Sequence, residues 1–215
     1  MDTNTTTKRS WLAAGGGVLV GAAGTVAALL ALGWSAGSAA GGSAMTLTLP
    51  QTADGLRTET EVVTELRGEP IEGREEAFAE TADLLSASRG GAAAAVQGYA
   101  DEDLEVRVTV WAVADESPRL WASQEGEKVA ELSGLATPWE WVERDAGGEG
   151  EEPVECVMRV INPTMAGSDE EPEATVLECQ LVTDGVTLLL EGPQLESIDR
   201  PVAILRDVAA NLERG

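Results

Sequence analysis

Hydrophobic positions along this chain keep three different rhythms, and each predicts a different kind of element. From Ser10 to Ala53 no residue is charged, and between Trp11 and Trp34 nearly every position is Ala, Gly, Leu or Val. A helix over 11–34 rises ~1.5 Å per residue and reaches ~30 Å or slightly more, the thickness of a bilayer's hydrocarbon core. This run predicts a single transmembrane helix. Trp11 and Trp34 are placed to sit at its two interfaces, where an amphipathic ring is most comfortable. The alternative is a cleaved secretory signal, because Ser38-Ala39-Ala40 and Gly42-Ser43-Ala44 have the small residues of a cleavage site.

Beyond the span the rhythm changes to alternation. Leu47 and Leu49 alternate with threonines up to Pro50, a short strand. In Leu104 to Ala114, Val106, Val108 and Val110 face one side, and Arg107, Thr109 and Trp111 the other. Trp139-Glu140-Trp141-Val142 alternates in the same way. Val154 to Ile161 and Thr175 to Thr183 read as two further strands joined by an acidic, Pro- and Gly-containing loop. Pairing Ile161 with Ala174 sets Cys156 opposite Cys179, Met158 opposite Leu177, Val160 opposite Thr175 and Val154 opposite Leu181. One face is then almost wholly apolar, and a slip of one residue would turn the set outward. Asp184-Gly185 is a two-residue hairpin signal. It returns Val186 to Leu190 beside the second strand, with Leu188 against Leu181 and Leu190 against Cys179.

A third rhythm has helical spacing. Pro70 suits a helix start, and Ile71, Phe78, Ala82 and Leu85 recur until Gly90-Gly91, with a further alanine-rich turn to about Gln97. Ser117 and Pro118 suit an N-cap and first helical residue, with Trp121, Val129 and Leu132 turned inward. From Pro201 onward, Val202, Leu205, Val208, Ala209 and Leu212 form a stripe able to cover the apolar hairpin face. The predicted fold class is α+β: one N-terminal transmembrane helix, then an exported domain with an antiparallel sheet and helices packed on one face. The organisation reads as a cytoplasmic tail (1–10), the span (11–34), a flexible Gly/Ser/Ala linker (35–45) and an extracytoplasmic domain (46–215).

Charge gives the arrangement a direction. Lys8 and Arg9 precede the span, and no basic residue follows it until Arg57. The positive-inside rule keeps the N-terminus cytoplasmic and the C-terminal domain outside. The chain holds 38 acidic and 14 basic residues, a formal net charge of −24. Such a surface repels nucleic acid, whose binding depends on Lys and Arg, so nucleic acid is excluded as a partner. Acidity on this scale is also what a saline habitat selects. There is no histidine, which removes the commonest general base and metal ligand and argues against an enzyme.

Two cysteines in an exported segment are expected to oxidise, and facing strand positions bring their Cβ atoms within bridging distance. Free buried thiols or a redox pair are the alternatives, although a redox pair usually sits closer in sequence. No metal and no cofactor are expected, since further Cys and His ligands are lacking. The runs Glu149-Glu151-Glu152 and Asp169-Glu170-Glu171-Glu173 lack the ordering of a calcium loop and read as solvated charge. Trp139 and Trp141 are the candidate ligand contacts if exposed, and core residues if buried. Gly17 and Gly21, a GxxxG pair in the span, would let two helices approach closely, making a homodimer through the membrane segment one candidate assembly and a protein partner another.

Several of these features occur together: the span, Leu47-Thr48-Leu49-Pro50 with Gly55-Leu56, Gly98-Tyr99-Ala100-Asp101 leading into a strand, the cysteine pair, Asp184-Gly185, and a closing helix with Leu205-Arg206. In this the chain resembles, over roughly residues 46–213, a group of actinobacterial single-pass envelope proteins of unknown function. The resemblance carries no catalytic residues with it. The expected function is that of a membrane-anchored, extracytoplasmic, non-enzymatic interaction or sensing component of the cell envelope. The alternatives are a small-molecule or glycan-binding module and a carboxylate-based hydrolase.

Overall fold

The structure is a computed structural model that describes residues 45–117, 120, 126–169, 173–192 and 195–215. The predicted span, with Trp11, Gly17, Gly21 and Trp34, lies outside the described residues. No helix among the described residues is long and apolar enough to cross a membrane.

Strands β2 (Thr52–Ala53), β3 (Leu56–Thr58), β4 (Ala94–Ala100), β5 (Arg107–Val113), β6 (Glu140–Asp145), β7 (Val154–Asn162), β8 (Glu173–Thr183) and β9 (Val186–Glu191) form one antiparallel sheet in the order β2-β3-β4-β5-β9-β8-β7-β6. A separate ribbon pairs β1 (Leu47–Thr48) with β10 (Glu213–Arg214). The described helices are α1 (Glu59–Arg67), α2 (Arg74–Ser88), α3 (Gly126–Ser133) and α4 (Asp199–Asn211). The domain is α+β with an antiparallel sheet, as the alternating and helical rhythms predict.

The hairpin at the centre follows its predicted register over half its length. Val154 faces Leu181 and Cys156 faces Cys179, while β9 sets Leu188 against Leu181 and Leu190 against Cys179. Asp184 and Gly185 both take positive φ (49° and 74°), as a two-residue turn matched to strand twist requires. Past Val157 the register shifts by one. Met158 pairs with Val176 and Val160 with Ala174, not with Leu177 and Thr175, and Leu177 is left without a partner. The extra residue is a β-bulge. It turns Val176, fully buried, into the core beside Cys179 and Leu181, and leaves Leu177 half-buried. Strict alternation cannot show this, because Leu177 and Val176 are equally apolar.

Helix α4 covers that face. Its Val202, Ile204, Leu205 and Val208 are buried in one cluster with Cys156, Met158, Cys179, Leu181, Leu188, Leu190 and Tyr99. Full burial of side chains such as Ile204 and Leu205 contributes about 1.5–3 kcal/mol each. The Asp54 amide donates to Asp207 Oδ2 at 2.7 Å, and Arg200 Nε lies 3.2 Å from Asp54 Oδ2. Those contacts bind the β2–β3 turn to the same helix. Tyr99 donates its hydroxyl to the Pro50 carbonyl at 2.7 Å. Burial, with Asp207 nearby, pushes that phenol upward and keeps it neutral.

Several expectations are corrected. Helices do not pack on one face only: successive strand residues point to opposite faces, and Gly98, next to the core residue Tyr99, faces α1 and α2. A Cβ at Gly98 would stand 2.7 Å from Glu59 Oε2 and 2.8 Å from Phe78 Cζ. The alanine-rich stretch to Gln97 is strand β4, since small residues on a central strand let these helices approach. Helix α2 starts at Arg74, after Gly73 in the left-handed region, rather than at Pro70. Leu104 (φ 59°) sits in the turn before β5, which starts at Arg107. Leu132 is 80% exposed rather than inward, because α3 turns Ala130 to the interior instead. Trp121, Pro118 and the side chain of Val129 lie outside the described residues. Elements β2, β3 and α1 have no counterpart in the periodicity of the sequence.

Candidate functional site

The two cysteines form a disulfide, with S–S at 2.05 Å and both residues fully buried. Closing a loop with a sequence separation of 23 contributes roughly 3 kcal/mol in the chain-entropy picture. Sealed in the core behind α4, the pair holds the hairpin together.

The two candidate tryptophans take different environments. Trp141 on β6 is half-buried against the core, and its indole donates to Glu143 Oε1 at 3.0 Å. Trp139, just before β6, is 53% exposed. Segment 134–139 continues the β6–β7 pairing beyond the strands: the Val160 amide donates to the Trp139 carbonyl at 3.0 Å, Ala136 to Thr164 at 2.9 Å, and Ala166 to Gly134 at 2.7 Å. Leu135 bridges Met165. Exposed Trp139, Ile161 (60%) and Met165 (61%) therefore lie at positions along this ribbon end, and exposed Leu132 on the helix that leads into it. This apolar end borders β6, whose outer edge has no neighbouring strand among the described residues.

A second feature lies on the sheet face opposite α4. Glu178 on β8 stands directly across from Glu191 on β9. Burial raises the Glu178 carboxyl above the usual carboxylate range, and Glu191 and Glu140 push it further; burial alone raises Glu191. Glu140 is itself held by Arg159, Oε1 to Nη2 2.6 Å. The pair could carry proton transfer, but it lies on a sheet face rather than in a cleft. Periodicity alone could have found this pair, because the register that sets Leu190 against Cys179 also sets Glu191 against Glu178.

Where α1, α2 and β4 meet, Glu59 is buried under two guanidinium groups. Arg74 Nη2 reaches its Oε2 at 2.5 Å, and Arg107 donates to its Oε1. Burial alone would raise this carboxyl, but the hydrogen bonds from Arg74 and Arg107 outweigh it and hold the carboxyl below the usual range. Nothing local signals this cluster, since its members are 15 and 48 residues apart. Beside it an open hollow of about 1180 Å³ is walled by Thr58, Glu61, Glu65, Glu72, Phe78 and neighbours, and neither Trp139 nor Trp141 is among its walls.

Among the described residues no group of three or more His, Cys, Asp or Glu side chains is arranged to hold a metal. Glu149 and Glu152 are exposed. Glu151 pairs with Arg206 at 2.5 Å, and Glu170 and Glu171 lie outside the described residues. Comparison with family models, with curated proteins and with solved structures finds no match.

Proposed function

We propose that the chain is a membrane-anchored extracytoplasmic protein whose folded domain acts by binding, as an interaction or sensing component of the cell envelope. In this reading it is akin to the actinobacterial single-pass envelope proteins it resembles. The observation that carries the reading is the core disulfide Cys156–Cys179 in a domain that follows an uncharged segment of membrane-spanning length. Disulfides persist outside the reducing cytosol, and the basic residues ahead of the span point the domain the same way. The exposed apolar end around Trp139 supports binding as the mode of action. A second reading, a carboxylate-based hydrolase, is favoured by Glu178 standing across from Glu191.

External protease applied to protoplasts tests the location. Digestion of the C-terminal domain in intact protoplasts is expected. A domain shielded until lysis would overturn the reading.

A further inference from the structure

We propose that the open edge of β6, with Trp139, Ile161, Met165 and Leu132 at its leading end and the Glu149–Glu152 loop at its other end, docks an extended partner-protein segment as a ninth strand. That segment carries apolar side chains at one end and Lys or Arg at the other.

Three observations lead to this occupant. The first is backbone: β6 terminates the eight-stranded sheet, so the outward N–H and C=O groups of alternate residues have no strand partner among the described residues, and an extended peptide would satisfy them. The second is apolar exposure. Trp139, Ile161 and Met165 are exposed along the ribbon that leads into β6, and Leu132 on the helix just before it; an exposed tryptophan is a typical anchor site.

The third is charge. Strand β6 carries Glu140, Glu143 and Asp145. Glu140 is paired with Arg159 and Asp145 with Arg206, and the strand's one base, Arg144, is engaged by Glu155 at 2.5 Å, so the free negative charge rests on Glu143 and the loop that follows. The exposed carboxylates of Glu149 and Glu152 lie just beyond its end. A basic strand complements this edge. A second copy does not: antiparallel self-pairing about the strand centre sets Glu140 against Asp145 and leaves Val142 against Glu143, and like charges directly opposite are destabilising.

Charge argues against lipid, since an acidic edge is repelled by anionic headgroups.

This inference rests on the reading of the domain as a binding module, yet it is tested separately from the domain's location. The full chain in detergent micelles is panned against a displayed library of random eight-residue peptides. Enrichment of sequences with apolar residues at one end and Lys or Arg at the other is expected, with slowed amide exchange over 140–145 on binding. Trp139→Ala, at an exposed position, is expected to weaken the selected peptides about tenfold or more. The double change Glu149→Lys and Glu152→Lys is expected to weaken them several-fold at low salt, an effect that fades as salt is added.

The proposal is overturned if no sequences or acidic sequences are enriched, if Trp139→Ala leaves affinity unchanged, or if amide protection appears elsewhere. Self-association of the chain that Trp139→Ala abolishes would assign the edge to a second copy and overturn it. So would binding to phosphatidylcholine–phosphatidylglycerol vesicles that the same change abolishes. A failed panning with the domain outside the cell leaves the envelope location standing; a cytoplasmic domain with peptide binding intact does the reverse.

Discussion

At the scale of single residues, two carboxylate arrangements work in opposite directions. Glu59, buried under Arg74 and Arg107, has its pKa lowered by folding, so its contribution is present above the unfolded pKa and lost as pH falls through the folded one. Glu59→Gln leaves two guanidinium groups underpaired. With both arginines partly in water, the expected loss is about 1–2 kcal/mol, below the roughly 3–5 kcal/mol of a fully buried pair, read by urea unfolding at pH 7. Glu178 and Glu191 have their pKa values raised, so their contribution is present below the unfolded pKa and lost as pH rises through the folded one. Glu178→Gln is therefore expected to raise Tm at pH 7 and to lose that advantage near pH 4. A thermal melt series across that range checks the sign. The opposition of these two glutamates was legible from the hairpin arithmetic. The Glu59 cluster was not, because its partners come from α2 and β5, far apart in sequence.

At the scale of elements, strong alternation was the most readable signal. Strands β5, β7, β8 and β9 and the α4 stripe follow it because one face of each must leave water. Two kinds of element escaped it. Strand β4 is alanine-rich and has helix-like composition, yet it is held in the sheet by β5 on one side and β3 on the other. Helix α1 is short and comes after a two-strand turn, with no apolar stripe long enough to announce it. The bulge at Leu177 has a direct test. Val176→Thr places a hydroxyl in a core site, with an expected cost of about 1–3 kcal/mol. Leu177→Thr, at a half-buried position, is expected to cost under about 1 kcal/mol by the same denaturant measurement. Equal costs, or the reverse order, would restore the unbulged register.

At the scale of the whole molecule, net charge dominates. With 38 acidic and 14 basic residues, self-repulsion opposes the compact state, and salt relieves it. Raising NaCl from about 0.05 to 0.5 M, over which the screening length falls severalfold, is expected to raise Tm. A flat or falling response would mean that local ion pairs such as Arg206 with Asp145 and Glu151 outweigh the net repulsion. The amino-acid order by itself determined the properties that periodicity and counting dictate: the α+β class, the uncharged N-terminal run, the acidic surface, and the facing of Cys156 with Cys179, since a period of two with one face that must leave water restricts the register. Only the tertiary structure decided which apolar residues stay wet. Trp139, Ile161, Met165 and Leu132 look no different in sequence from buried neighbours, and their exposure depends on where the sheet ends. It also decided that helices lie on both faces, because that depends on how closely chains distant in sequence can approach at Gly98.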